Sequence, residues 1–258
     1  MLKNIITGFV LFQLALASFC QPQELVVPDY FGEKIEYSLK VGFFQVGKVD
    51  IAFSGDSSDC GAYVICNARS TGLVNFVKDV HYRFDACFDT TTGYASQSSR
   101  KIKEGNYHDY DEVYYDRSTR SDSTIVITED KDTLIVPKDV YDILVAFFQF
   151  RKNFIHPSLE PGNMIRIKTF FVDEEWDLNI KYAGKETIKT QLGKAKCYKF
   201  LPETEVGRYF KTKEDLTLWV TANKNLIPVK IDAKMKVGTF SADIVSYRKP
   251  TRKLNKHK

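Results

Sequence analysis

The chain is predicted to be a single, mainly β domain, a curved antiparallel sheet or half-open β-barrel with one helix packed on or across it. Three observations predict this. Apolar residues alternate with polar ones in a long series of short runs, turn residues separate those runs at hairpin spacing, and only one segment switches to the helical period. The 258 residues, 43% hydrophobic and 27% charged, suffice for a sizeable core. That composition excludes a disordered chain, a collagen-like repeat and a small disulfide scaffold.

Residues 1–20 are set apart from the fold. Lys3 precedes an uncharged apolar stretch from Ile5 to Ala17, and small residues at Ala15, Ala17 and Ser18 offer cleavage positions. This is the build of a secretory signal peptide, and the stretch is shorter than the roughly 20 residues of a membrane span. Export, with a periplasmic destination, is therefore expected. Cys20 offers an alternative, anchoring through an acylated cysteine, although Phe19 stands where such sites carry a small residue.

The expected domain runs from 21 to 247. Ile35, Tyr37, Leu39 and Val41 alternate with Glu36, Ser38 and Lys40, and Val49, Ile51 and Phe53 repeat the pattern after Gly42–Gly47. A strand through Tyr63 to Arg69 follows a loop rich in Gly, Asp and Ser. Val80, Tyr82, Phe84, Ala86 and Phe88 then oppose His81, Arg83 and Asp85. Ser96 to Tyr115 supplies two strands around Gly105. Thr124–Thr128 and Thr133–Val136 flank an acidic turn. The period then changes: with Asp139 as N-cap, Val140, Ile143, Leu144 and Phe147 fall at i, i+3, i+4 and i+7, and Arg151 and Lys152 complement the dipole of the last turn. A meander completes the chain, with strands at 165–172, 176–182, 185–190, 196–201, 216–220, 229–235 and 239–247.

Residues 248–258 form a basic tail with six of the 37 Lys and Arg residues. Without them and Lys3, the net charge of +4 becomes negative, so the body lacks the positive face of a nucleic-acid binder. The tail reads as a solvated end, with contact to anionic lipid or phosphate as its functional alternative.

Four cysteines remain beyond the leader, Cys60, Cys66, Cys87 and Cys197. An even count in an exported chain makes all four disulfide candidates, with a pair expected among the first three and its partners left open. No clustered Cys/His spacing suggests zinc, and no cofactor is expected. His81, His108 and His156 are scattered and no Gly-x-Ser-x-Gly elbow is present, so no catalytic residue is assigned and a non-enzymatic protein is expected. The acidic groups Asp109/Asp111/Glu112 and Asp173–Glu175 lack the spacing of a calcium loop and read as solvated strand ends.

Aromatics crowd the helix and its exit: Tyr141, Phe147, Phe148, Phe150 and Phe154. Core packing explains most such stripes. The functional alternative is a helix across a barrel mouth, with Tyr141, Phe147, Phe148, Phe150 and, from a later strand, Trp219 lining an apolar pocket.

Several segments carry a resemblance in order along the chain. Gly32-Glu33-Lys34-Ile35-Glu36-Tyr37, Asp142-Ile143-Leu144 through Phe150-Arg151, Glu186–Thr190 with Gly193, and Leu218-Trp219-Val220-Thr221 with Ile227-Pro228-Val229 resemble the domain-of-unknown-function family numbered 3108. The family has Ser where this chain has Val145, so no hydroxyl role transfers. The resemblance implies a β-rich exported fold and no activity. The closing meander is also similar to that of periplasmic lipoprotein carriers, half-open barrels closed by helices over an apolar cavity. The function expected is thus binding of a lipid, an acyl chain or an anchored peptide. An envelope scaffold acting through a protein partner is the alternative, and a hydrolase comes third.

Overall fold

The computed structural model describes residues 30–54, 61–72, 78–89, 92–130, 132–207, 210–236 and 238–249. Its strands are β1 (Lys34–Val41), β2 (Phe44–Ser54), β3 (Ala62–Ser70), β4 (Val80–Phe88), β5 (Ala95–Glu104), β6 (Tyr107–Asp116), β7 (Ser123–Thr128) and β8 (Thr133–Pro137). The two-residue β9 (Tyr141–Asp142) leads into helix α1 (Ile143–Gln149) and a π turn, Phe150–Phe154. Then come β10 (Met164–Phe171), β11 (Glu174–Thr190), β12 (Gly193–Pro202), β13 (Leu216–Thr221), β14 (Pro228–Met235) and β15 (Gly238–Arg248).

All fifteen strands join one sheet in the order β8-β7-β6-β5-β4-β3-β2-β1-β15-β14-β13-β12-β11-β10-β9. Each pairing is antiparallel except β9 with β10. Two meanders therefore meet at the β1–β15 seam. The strip curls until its far ends approach: Tyr94 of the β4–β5 connection stacks on Tyr141 at 4.8 Å, and Tyr115 of β6 meets Phe170 of β10 edge-on at 6.3 Å.

Alternation read from sequence recurs as burial. In β1, Ile35 and Tyr37 are buried while Lys34 and Glu36 are partly exposed. The two runs at 176–182 and 185–190 are one strand, β11. Gly184 does not turn the chain: at φ +105° it forms a bulge, where the pairing with β12 skips a residue after Tyr182.

The helix differs more. Asp142, not Asp139, is the N-cap, its Oδ1 accepting from the N–H of Leu144 (2.8 Å) and Val145 (3.1 Å). Val140 and Tyr141 lie outside the helix because Tyr141 pairs with Thr169 of β10. The buried residues of α1 are Val145, Ala146, Phe148 and Gln149, whereas Ile143, Leu144 and Phe147 are only half-buried. The expected stripe is displaced because the helix is enclosed on two sides. Val145 and Phe148 enter the core of the first meander with Phe53, Val64, Ala86 and Val113. Ala146 and Phe150 enter the core of the second with Ile167, Ile180, Phe200 and Val220.

Arg151 does not face solvent at the helix end. Its side chain is fully buried and bidentate to Glu33, at 2.7 and 2.9 Å, while Nε donates to the Leu226 carbonyl (2.8 Å) and Nη2 to that of Asn225 (3.2 Å). The Tyr30 ring covers the guanidinium at 4.0 Å. Burial opposes the charge, but the hydrogen bonds and charge of Glu33 outweigh it and hold the Arg151 pKa above its ordinary value.

Candidate functional site

The register aligns two rows across the concave face of the first meander: Phe53–Val64–Ala86–Ser98–Val113 and Ile51–Cys66–Phe84–Arg100–Asp111. The first row is covered by α1. Over the second a cavity of about 270 Å³ remains, floored by Cys66, Phe84, Arg100 and Val113. Its walls are Asp142, Ile143 and Leu144 from the helix start, and Phe171 and Val172 from the β10–β11 turn. Val172 sits at φ +62°, which a β-branched residue adopts only under strain. That turn carries Phe171 over the cavity, 6.2 Å from the Phe84 ring.

The lining is largely apolar, with a polar corner. Arg100 donates from Nε to Asp111 (2.6 Å) and from Nη2 to Asp109 (2.7 Å), and its guanidinium lies 6.0 Å from the Phe171 ring. These carboxylates, expected as solvated strand ends, instead neutralise Arg100. Asp142 is buried, and burial raises its pKa to about 6 against the hydrogen bonds from Val145, Ser98 and Leu144. Burial, with Asp50 nearby, pushes the Cys66 thiol up to about 12, so it stays protonated at neutral pH and is a poor nucleophile.

The five aromatics expected to line a pocket take packing positions. Phe148 and Phe150 belong to the two cores, and Phe147 packs edge-on against Phe148 at 5.5 Å. Tyr141 touches both cores, and Trp219 is buried among Tyr37, Val229 and Ile244, its indole N–H donating to Glu186. The neighbouring Ile143 and Leu144 face the cavity instead. Sequence reasoning also passed over Cys66, Phe84, Arg100, Val113 and Phe171 as lining residues. Register alone brings them together, and the alternation of β3 to β6 was the signal that could have aligned them.

Two of the four disulfide candidates, Cys66 and Cys197, carry free thiols. Cys66 is opposite Ile51 and Phe84 on the concave face, and Cys197 is buried on β12, so each packs as a small hydrophobe. Cys60, like Cys20 and the leader, lies outside the described residues.

His81 and His108 share a second, polar groove with Asp50, Asp109, Arg69 and Lys103. His81 Nε2 is 3.5 Å from Asp79, and none of the described residues that line this groove is a Ser or Cys. His156 is on a turn, its Nδ1 2.5 Å from Ser158 Oγ. Among the described residues no three His, Cys, Asp or Glu side chains converge as for a metal ion, and no helix is long and apolar enough to cross a membrane.

A β-barrel-like protein of domain of unknown function DUF1849 from Brucella abortus has a similar fold: TM-score 0.55, 9% identity, covering 85% of this chain and 98% of that one. A DUF1089 family protein from Pseudomonas aeruginosa matches at TM-score 0.37 and 8% identity, over 69% of this chain and 87% of its own. A protein with a YmcC-like fold from Bacteroides fragilis matches at 0.34 and 12%, over 86% and 98%. None of the curated proteins matches. The family described as Protein of unknown function (DUF3108) matches residues 36–245, nearly all of the sheet, and the chain belongs to that family.

Proposed function

We propose that this protein is an exported, non-catalytic binder of a hydrophobic ligand, an acyl chain or lipid, held in the cavity between the concave face of β3–β6 and the start of α1. The observation that carries this reading is the cavity itself. It offers about 270 Å³ of space under an apolar lining and is partly open to solvent, so a chain can enter it. A void of roughly 150 Å³ already accepts benzene, so an acyl segment has room here. Phe84, Val113, Leu144 and Phe171 would contact the chain, and Arg100 with its two carboxylates would meet a polar end. Tyr141, Phe147, Phe148, Phe150 and Trp219 would serve the site from behind, by fixing the helix and the sheet.

An exported location agrees with the leader. We also propose a disulfide between Cys60 and Cys87: Cys66 and Cys197 are free, and Cys87 lies opposite Tyr63, three residues from Cys60.

Mass spectrometry of protein purified from its native envelope tests this, once intact and once after organic extraction. The expected result is a stoichiometric lipid in the extract that Leu144→Trp, which fills the cavity, removes while the fold is kept. The intact mass reads the cleavage site, acylation at Cys20 and the disulfide. An extract without lipid, or equal lipid from wild type and Leu144→Trp, would overturn the reading.

A further inference from the structure

At the tip of the β1–β2 hairpin, Gly42 at φ +60° turns the chain and leaves Phe43 85% and Phe44 66% exposed, their rings 4.2 Å apart. Large aromatic side chains this open are uncommon on a protein surface, and a pair of them forms a continuous apolar projection. The half-exposed Val41 broadens it.

The same end of the molecule is basic. Val41 pairs with Phe240, Gly42 N–H donates to the Thr239 carbonyl (2.9 Å), and Met235 bridges to Phe210. The β14–β15 turn and the loop before β13 therefore stand beside the hairpin tip. They bring Lys234 and Lys236, and Lys211 and Lys213, all exposed. The carboxylates near them offset this charge only in part, Asp215 acting on Lys234 alone of the four lysines. Asp215 is turned inward to the N–H groups of Lys211 and Thr212, and Glu214 pairs with Lys181, which leaves the exposed Glu205.

We propose that this end is a membrane-docking surface, with Phe43 and Phe44 entering the interface of an anionic bilayer and the four lysines resting on its headgroups. A bilayer suits both halves of the feature. The rings sit at the extremity of the hairpin, where they reach a plane before the sheet does, and flanking ammonium groups meet a negative lipid surface at the same depth. The inference is independent of the cavity, because the tip shares no residue with it.

Co-sedimentation of the full chain with vesicles of phosphatidylcholine plus phosphatidylglycerol, and of phosphatidylcholine alone, tests it. Binding should favour the anionic vesicles. Phe43→Ser/Phe44→Ser should weaken it roughly tenfold or more from lost apolar burial. Lys234→Gln/Lys236→Gln should weaken it roughly fivefold per lysine, an effect that added salt erases. Leu144→Trp should bind as wild type, which separates this inference from the carrier reading. Phe43, Phe44, Lys234 and Lys236 are exposed, so the variants at these four positions should keep the wild-type thermal transition. Equal binding by wild type and Phe43→Ser/Phe44→Ser would overturn the proposal, since the leader and basic tail would then account for the attachment. So would photo-crosslinks from position 43 that reach an envelope protein and no lipid.

Discussion

Replacing Asp142 by Asn removes a buried charge from the cavity wall while keeping a side chain that caps a helix equally well. In the folded protein burial raises this carboxyl from 3.8 to about 6, so the fold holds the proton more tightly than the unfolded chain does. A raised carboxylate contributes stability that is fully present below the unfolded value and is lost as pH rises through the folded one. The loss falls between about pH 4 and pH 6. At about 1.4 kcal/mol per unit, a shift of about 2 units makes the charged form cost about 3 kcal/mol at pH 7. Urea unfolding of wild type and Asp142→Asn at a series of pH values isolates this contribution, because groups common to both cancel. Asp142→Asn should be more stable by up to about 3 kcal/mol at pH 7, and the gap should close towards pH 4. A gap independent of pH, or a variant less stable at every pH, would refute the reasoning. Either result would mean that the helix N–H groups stabilise the carboxylate by at least as much as burial penalises it.

Two further predictions concern the buried polar framework. Arg151→Met leaves Glu33 charged and without its ion-pair partner in the interior and should destabilise by about 3–5 kcal/mol, whereas Glu33→Leu/Arg151→Met should recover most of that loss in the same unfolding assay; a double loss equal to the sum of the Glu33→Leu and Arg151→Met losses would show that the two residues are not coupled. Gly93→Ala should cost about 2–4 kcal/mol, read as a lowered urea midpoint, because Gly93 sits at φ +74° and its Cβ would lie 2.1 Å from Nε2 of the buried Gln149.

Most strands could be read from the chain because period-two alternation survives wherever one face is buried, as in 34–41 and 80–88. The break placed at Ala183–Gly184 was wrong for a local reason: glycine permits a positive φ in a turn and in a bulge alike, and only pairing with β12 distinguishes them. The helix start was misplaced because Asp139 and Asp142 are equally good caps in isolation. Pairing of Tyr141 with β10, 28 residues away, decides between them. The helix face was misread because periodicity presumes one apolar neighbour, whereas α1 has two. The Glu33–Arg151 pair spans 118 residues, beyond any spacing argument, though both residues fell inside segments that carried the family resemblance. The cavity was the least legible part. It is a gap between elements, and the residues around it were individually ordinary.

The position of β1 at the centre of the strip has a consequence for biogenesis. Each meander is built from hairpins whose partners are neighbours in sequence, so each can form as soon as its own residues are available. The β1–β15 seam joins Lys34 to Arg248, the two ends of the sheet-forming chain. Closing it carries the largest loop-entropy cost in the molecule and must wait for the last strand. An N-terminal piece ending before β15 leaves β1 as an open edge, a template for pairing with other chains. Whatever the route of synthesis, a chain that emerges from its N-terminus cannot complete this fold until its final strand is available, so late closure is built into the strand order.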